Sequence, residues 1–257
     1  MKVTMLGCGP SWGVPAIGPD WGACDPAEPR NRRRRCSLLV ESRGAKLLID
    51  MAPELRQQLL DAEINSLDAV LLTHAHGDHL HGLDDLRKIS QSLGHAIPLH
   101  ATPETMDEVA QRFGYALQPP VPGRPLYRPA LTPRLIAGPF ITAGMPIVPF
   151  PQNHGHSMTL GFRIGPVGYS TDVTELDENA FAALDGVELW IVDCLRRAPH
   201  PTHSHLAKTL QWIERVRPRR AVLTHMEESL DYRELLAELP EGVEPGYDGL
   251  TVELPDP

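Results

Sequence analysis

The chain has 257 residues, is 42% hydrophobic and carries a formal charge of -9, which is enough apolar content to bury a core and too acidic a surface to hold a long polyanion by neutralising its phosphates. No apolar run approaches the ~20 residues of a membrane span, and the opening MKVTMLGCGP lacks the long apolar stretch of a signal peptide. The expectation is a single cytoplasmic domain over residues 1–257 that binds neither membrane nor bulk nucleic acid. The cysteines Cys8, Cys24, Cys36 and Cys194 are scattered with no C-x-x-C pair, which argues against a disulfide framework or a four-sulfur zinc site and reads as free buried thiols.

In chain order, short β-forming apolar runs alternate with helical spacings. A strand over Val3 to Leu6 leads into GCGPSWGVP and then RNRRRR, Arg30 to Arg35, which reads first as a solvated loop and alternatively as a device that steers a small phosphorylated substrate. Strands over Ser37 to Glu41 and Lys46 to Ile49 precede a helix over Pro53 to Asp61, a strand over Ala69 to Leu72, and helices over Leu83 to Ser92 and Thr105 to Arg112. The stretch from Gln118 to Pro133 is too proline-rich for either regular element and is predicted to be an extended excursion, a lid or a dimer contact. Strands follow over Ile147 to Pro149, Thr159 to Ile164 and Val167 to Ser170, then a helix over Glu178 to Leu184 and a strand over Leu189 to Val192. A helix over Leu206 to Val216, a strand over Ala221 to Leu223 and a helix over Tyr232 to Glu238 complete an α/β layered pattern.

Four of these strands run into polar, ligand-type side chains. AVLLTHAH and AVLTHM echo one another, each an apolar strand entering Thr-His, while VGYSTD ends on Asp172 and LWIVD on Asp193. Carboxyl ends of buried strands are where α/β folds place their sites, so the four ends are expected to converge on one cleft. The densest of them, LLTHAHGDHLHGLDDLR, carries four histidines and three aspartates between Leu71 and Arg87. In its H-x-H-x-D-H core, His74 and His76 flank one residue while Asp78 and His79 are adjacent, so a tight loop can aim the two pairs at different points. Imidazole and carboxylate together suit Zn²⁺, Mn²⁺ or Fe²⁺, and a buried cluster this dense would repel itself on protonation unless a cation organised it.

This motif resembles the signature of the metallo-β-lactamase superfamily, and the likeness runs along nearly the whole chain. It implies an αββα sandwich, two mixed β-sheets flanked by helices, with a two-metal site at its edge. By that resemblance NHGHS supplies His154, YSTD supplies Asp172 and LTHM supplies His225. His74, His76 and His154 would then hold one divalent ion, Asp78, His79 and His225 the other, with Asp172 bridging, and the metals would be zinc or manganese. Such a pair presents a bridging hydroxide near neutral pH and clamps phosphoryl oxygens. A narrower likeness, carried by GCGPSWGVP, NRRRRCSLLV, HGDHLHGLDDLR and HPTHSHL, is to the phosphoribosyl cyclic phosphodiesterase (PhnP-like) subfamily, which acts on cyclic phosphates of ribose and on 2',3'-cyclic nucleotides. It implies His203 as the general acid, with His200 and His205 as rivals, and places His203 with Asp78 in the catalytic set. The implied partners are a small phosphorylated substrate or nucleotide and a second copy of the chain, as a homodimer.

The sequence departs from that subfamily at its extra structural zinc, which is held by three closely spaced cysteines and a late histidine. Here IGPDWGACD keeps only Cys24, with Pro19 and Trp21 where the other sulfurs belong, and MEES follows His225 without a histidine. No structural zinc is therefore expected. Competing readings are ribonuclease Z-type tRNA processing, disfavoured by the acidic surface and lack of a long basic arm, and glyoxalase II-type thioester hydrolysis, disfavoured by the Pro-Thr-His likeness. A true lactamase and a non-enzymatic metal-binding protein stand behind both. His81, Asp84 and Asp85 read either as partners orienting the ligand imidazoles or, like Arg87, as ordinary helix surface. Asp193 reads as a partner of His203 or of a ligand, or merely as a strand end. Trp12 and Trp21 read as loop anchors rather than stacking platforms, and His95 and His100 as structural.

Overall fold

The computed structural model describes residues 1–124 and 127–256. Three antiparallel strands open the first sheet, β1 (Lys2–Gly7), β2 (Ser37–Ser42) and β3 (Ala45–Ile49). Parallel strands β4 (Ala69–Leu71), β5 (Ile97–Ala101) and β6 (Leu131–Leu135) extend it beyond β3. The second sheet repeats this plan: β7 (Phe140–Thr142), β8 (Met145–Asn153), β9 (Met158–Ile164) and β10 (Val167–Ser170) are antiparallel neighbours, then β11 (Leu189–Asp193), β12 (Arg220–Thr224) and β13 (Val243–Pro245) continue from β10 in parallel. The last strand, β14 (Thr251–Glu253), returns to pair with β1. The two echoing Thr-His strands are thus β4 of one sheet and β12 of the other.

Both faces of each sheet are covered, which is why the central strands are near-continuous apolar runs. Leu38, Val40, Leu47 and Ile49 enter the core between the sheets with Phe162, Ile164 and Tyr169, whereas their neighbours Leu39, Leu48 and Val70 turn the other way. There they meet Leu55 and Leu59 of α1 (Leu55–Asp61), Leu86 of α3 (Leu86–Leu93) and Val109 of α4 (Pro103–Phe113), with the short α2 (Gly77–Leu80) between α1 and α3. On the far side α5 (Glu178–Leu184), α6 (Leu206–Val216) and α7 (Tyr232–Glu238) pack Leu184, Trp212, Ile213 and Leu235 onto the second sheet. The result is the expected αββα sandwich of two mixed sheets. No helix among the described residues is long and apolar enough to cross a membrane.

Some local expectations are corrected. The Gln118 to Pro133 stretch, of which residues 125 and 126 lie outside the described residues, is not wholly irregular, because Leu131 to Pro133 already belong to β6. Pro133 is tolerated there since β6 is an edge strand with one unpaired side. The strand expected over Ile147 to Pro149 runs the whole of β8; Pro149 and Pro151 lie past the reach of β7, where one edge of β8 is free of a ladder partner.

Candidate metal centre

The side chains singled out from the sequence sit on one edge of the sandwich, at the carboxyl ends of strands. His74 follows β4, His76 caps α2, Asp78 and His79 lie within α2, His154 follows β8, Asp172 follows β10 and His225 follows β12. Asp172 and His225 adopt left-handed backbone, with φ of 54° and 59°. A non-glycine residue held there costs about 1–3 kcal/mol, and such strain gathers where function dictates an orientation.

Five imidazoles turn Nε2 toward the Asp172 carboxylate, at 3.8 Å for His74, 3.1 Å for His79, 3.6 Å for His154, 3.9 Å for His203 and 3.5 Å for His225. Asp78 Oδ2 lies 3.3 Å from His79 Nε2 and 3.6 Å from His225 Nε2. The donor atoms fall into two groups sharing Asp172, namely His74, His76 and His154 on one side and Asp78, His79 and His225 on the other, each spanning no more than 4.8 Å. Within this crowd the buried Nε2 atoms of His74, His79 and His225 have no hydrogen-bond partner. Buried nitrogens orphaned in convergent positions, beside carboxylate oxygens at distances without hydrogen-bond geometry, are what a cation's ligands look like. The residues present therefore fit a divalent metal.

The electrostatics agree. Burial, together with the neighbouring His79, pushes the His74 imidazole well below its ordinary range, so it stays neutral and keeps a lone pair to offer. Burial also works against charge on His225, but Asp172 and Asp78 outweigh it and lift the ring to about 9; His79 is raised in the same way, most by Asp172 and Asp78. Asp172 is held well below the usual carboxylate range, burial notwithstanding, by His225 and His79. The carboxylates thus favour positive charge at this point, which a metal supplies while the rings stay neutral and keep their lone pairs.

Behind the cluster lies a residue the sequence reading passed over. Asp50, fully buried after β3, accepts from the Thr73 amide at 2.8 Å and from its hydroxyl at 2.9 Å, and faces His79 Nδ1 at 2.7 Å. With its proton committed to Asp50, the Thr73 hydroxyl accepts from His74 Nδ1 at 2.9 Å. One carboxylate therefore sets the tautomer of two imidazoles, leaving both Nε2 atoms free for metal. His154 is fixed similarly, its Nδ1–H donating to the Thr202 carbonyl at 2.7 Å. The signal for Asp50 was present, since LLID ends a buried strand on a carboxylate just as LWIVD does.

His203 stands at the mouth of the site, its ring stacked 4.5 Å from that of His225 and its Nδ1 3.3 Å from Asp193 Oδ2, which also accepts from the Val173 and Ser204 amides. Asp193 is thus the partner of His203. Of the two rivals, His205 is occupied in capping α6, where Nδ1 accepts from the Lys208 amide, and His200 Nδ1 accepts from Thr202. His81 packs against Phe113, Asp84 bonds the Tyr115 hydroxyl and Asp85 accepts from the Arg56 amide, so none of the three touches a ligand imidazole. His100 binds Thr142 across the sheet edge, whereas His95 is exposed. Trp12 is anchored to Glu228 at 2.8 Å.

The expectation of a solvated Arg30 to Arg35 loop holds for Arg30 and Arg32, which are exposed, and fails at Arg33. Arg33 is 2% exposed, its guanidinium gripping the carbonyls of Glu227 and Leu230 at 3.0 and 2.5 Å; Arg34 and Arg35 pair with Asp61 and Glu54, while Arg30 and Arg32 lie over aromatic rings. The clip works because the loop after His225 turns its carbonyls inward and leaves a buried cation as the group that satisfies them. Cys24, beside this clip, is buried against the Leu230 carbonyl.

Comparison with known proteins places the chain. The beta-lactamase superfamily domain matches residues 45–226. A solved structure described as a new diphosphatase from the PhnP family superposes with a TM-score of 0.90 at 32% identity, covering 98% of this chain and 96% of that one. An octanoyltransferase of Porphyromonas gingivalis is 34% identical over 97% of this chain and 51% of its own length, and a ribonuclease Z of Bradyrhizobium diazoefficiens is 38% identical over 32% of this chain and 28% of its own. This chain spans about half the length of the first of these two and less of the second. A sandwich whose clustered imidazoles and carboxylates fit a divalent metal, matched over 98% of its length by a PhnP-family structure, thus belongs to the metallo-β-lactamase superfamily.

Proposed function

We propose that the protein hydrolyses small cyclic phosphodiesters, ribose cyclic phosphates or 2',3'-cyclic nucleotides, at a centre of two divalent ions, zinc or manganese. His74, His76 and His154 would hold one ion, Asp78, His79 and His225 the other, and Asp172 both. Bound there, the metals supply a water-derived nucleophile at neutral pH and positive charge against the phosphoryl oxygens. The observation that carries the reading is the pairing of His203 with Asp193, which fixes Nδ1 and aims Nε2 back across the site to within 3.9 Å of Asp172. From there His203 delivers a proton to the departing sugar oxygen, which an alkoxide leaving group requires. Asp78, 10% exposed at its side chain, stands against both His79 and His225.

A diphosphate is the second substrate to consider, because the relative identical at 32% over nearly its whole length is described as a diphosphatase. Acyl transfer through a thiol has no support at this site. All four cysteines are buried, and burial raises Cys24 to about 11 and Cys36 to about 12, so no thiolate stands ready at neutral pH.

The test is to load the protein with metal and offer it bis(p-nitrophenyl) phosphate, 2',3'-cyclic AMP, a nucleoside diphosphate ester, S-lactoylglutathione and a pre-tRNA. Cleavage of the cyclic nucleotide is expected, whereas turnover of the thioester alone would overturn the proposal. His203→Ala should cost roughly 10²- to 10⁴-fold on 2',3'-cyclic AMP and far less on the p-nitrophenyl ester, whose leaving group departs without a proton. Equal losses on both would remove His203 from the role of acid.

A further inference from the structure

We propose that the cleft formed by the arginine run and its aromatic neighbours binds the non-reacting end of the substrate, and that this end carries a second anionic group beside a ring, as in a nucleotide. This deepens the phosphodiesterase reading and rests on it. The cleft measures about 650 Å³ and is walled by Trp12, Arg30, Arg32, Arg35, Glu54 and Tyr247, within the range of small-molecule sites, roughly 300–1,000 Å³. It is built largely by the loop between β1 and β2, which is tied to the loop that leaves His225. The Cys8 carbonyl accepts from the Met226 amide at 3.0 Å, Arg33 donates to the Glu227 carbonyl at 3.0 Å, and Trp12 donates to Glu228 at 2.8 Å.

The disposition of the five arginines decides what the cleft can hold. Arg34 is committed to Asp61 and Arg35 to Glu54 at 2.8 Å. Arg33 is buried on backbone carbonyls and the Asn31 amide oxygen, with no carboxylate among its partners, so its charge remains as a fixed positive floor. Arg30 and Arg32 make no ion pair among the described residues. They are held instead by rings, Arg30 at 4.9 Å from both Tyr232 and Tyr247 and Arg32 at 4.9 Å from Trp21. A ring beside a guanidinium holds it without neutralising it, and leaves N–H donors available for a planar or tetrahedral anion. The loop after β1 packs close against the arginine run, so that a Cβ on Gly9 would meet the Arg33 carbonyl at 2.7 Å. A net charge of -9 over the whole chain, with two un-neutralised arginines at the rim, fits one small anion rather than a polynucleotide, whose binding needs many phosphate contacts.

ADP titrated calorimetrically into metal-loaded protein tests this, with bis(p-nitrophenyl) phosphate hydrolysis measured on the same preparation. The expected result is that Arg30→Ala combined with Arg32→Ala weakens ADP at least tenfold at low salt, that inorganic phosphate, lacking the ring, binds far more weakly than ADP, and that Arg32→Lys recovers only part of the loss. Both arginines are exposed, so an unchanged melting temperature will show that the variant is folded. Equal ADP affinity in variant and wild type, in a preparation that hydrolyses the p-nitrophenyl ester, would overturn the cleft assignment and leave the phosphodiesterase reading intact. Absence of any phosphodiester hydrolysis by the wild type would instead overturn the reading, and with it the substrate role of the cleft.

Discussion

Asp50 shows how much of the centre depends on a group that would not itself touch metal. Its carboxylate is acceptor-only, so it compels His79 to carry the proton on Nδ1 and, through the Thr73 hydroxyl, compels His74 to do the same. Asp50→Asn keeps the volume but introduces an N–H₂ that can face His79 Nδ1, which moves the ring proton to Nε2 where the metal belongs. Metal affinity should fall roughly 10- to 100-fold, read by competition with a chromophoric chelator; an unchanged affinity would show that Asp50 merely fills space. The candidate ligands themselves were legible because histidine and aspartate at one- and two-residue spacing have little use on a buried turn other than metal. For Asp50 the sequence shows the strand-end carboxylate but not its partner, because His79, 29 residues away, comes against it only when the chain folds.

At the scale of elements, α2 is four residues long and has no helical stability of its own. It is held from outside: the Met51 amide donates to the His79 carbonyl at 2.7 Å, and the Gly82 amide donates to the Met51 carbonyl at 2.9 Å. The chain passes so close at Gly82 that a Cβ there would lie 2.0 Å from the Ala52 carbonyl oxygen. Gly82→Ala must therefore push α2 away from the loop after β3, costing about 1–3 kcal/mol of stability and displacing Asp78 and His79 together. Denaturant unfolding and metal titration should both report the loss, and a variant as stable as the wild type would show that the loop yields freely. Elements with strong apolar signal, such as β2, β3, β9, β10 and β11 and the helices α5 to α7, were readable from periodicity within a residue or two. Those that escaped are short or interrupted elements. The edge strands β7, β13 and β14 have three residues each, and the interior β5 and the edge strand β6 carry Pro98 and Pro133, so tertiary pairing rather than local propensity makes them strands.

Over the whole molecule, the metal centre joins the two halves of the sandwich. His74, His76, Asp78 and His79 belong to the first sheet's side, whereas His154, Asp172 and His225 come from the second. Apart from the shared apolar core, a backbone bond from Leu160 to the Thr73 carbonyl at 3.1 Å is one of the direct ties between the sheets near this edge. A cation seated between them acts as a cross-link that exists only in the folded state, since the unfolded chain scatters these residues across more than half its length. At a free metal concentration a hundred times its Kd this linkage contributes about 2.7 kcal/mol, and a domain of this size shifts its Tm by about 2–4 °C per kcal/mol. Chelation should therefore lower the melting temperature by roughly 5–10 °C, and adding back zinc or manganese should restore it in a concentration-dependent way. Asp172→Asn, which weakens both metal positions at once, should flatten that dependence even where the variant itself remains folded. A melting temperature indifferent to chelator and to added metal would mean that the two sheets are held by their apolar core alone, and that the convergence of five imidazoles on Asp172 is not a metal centre.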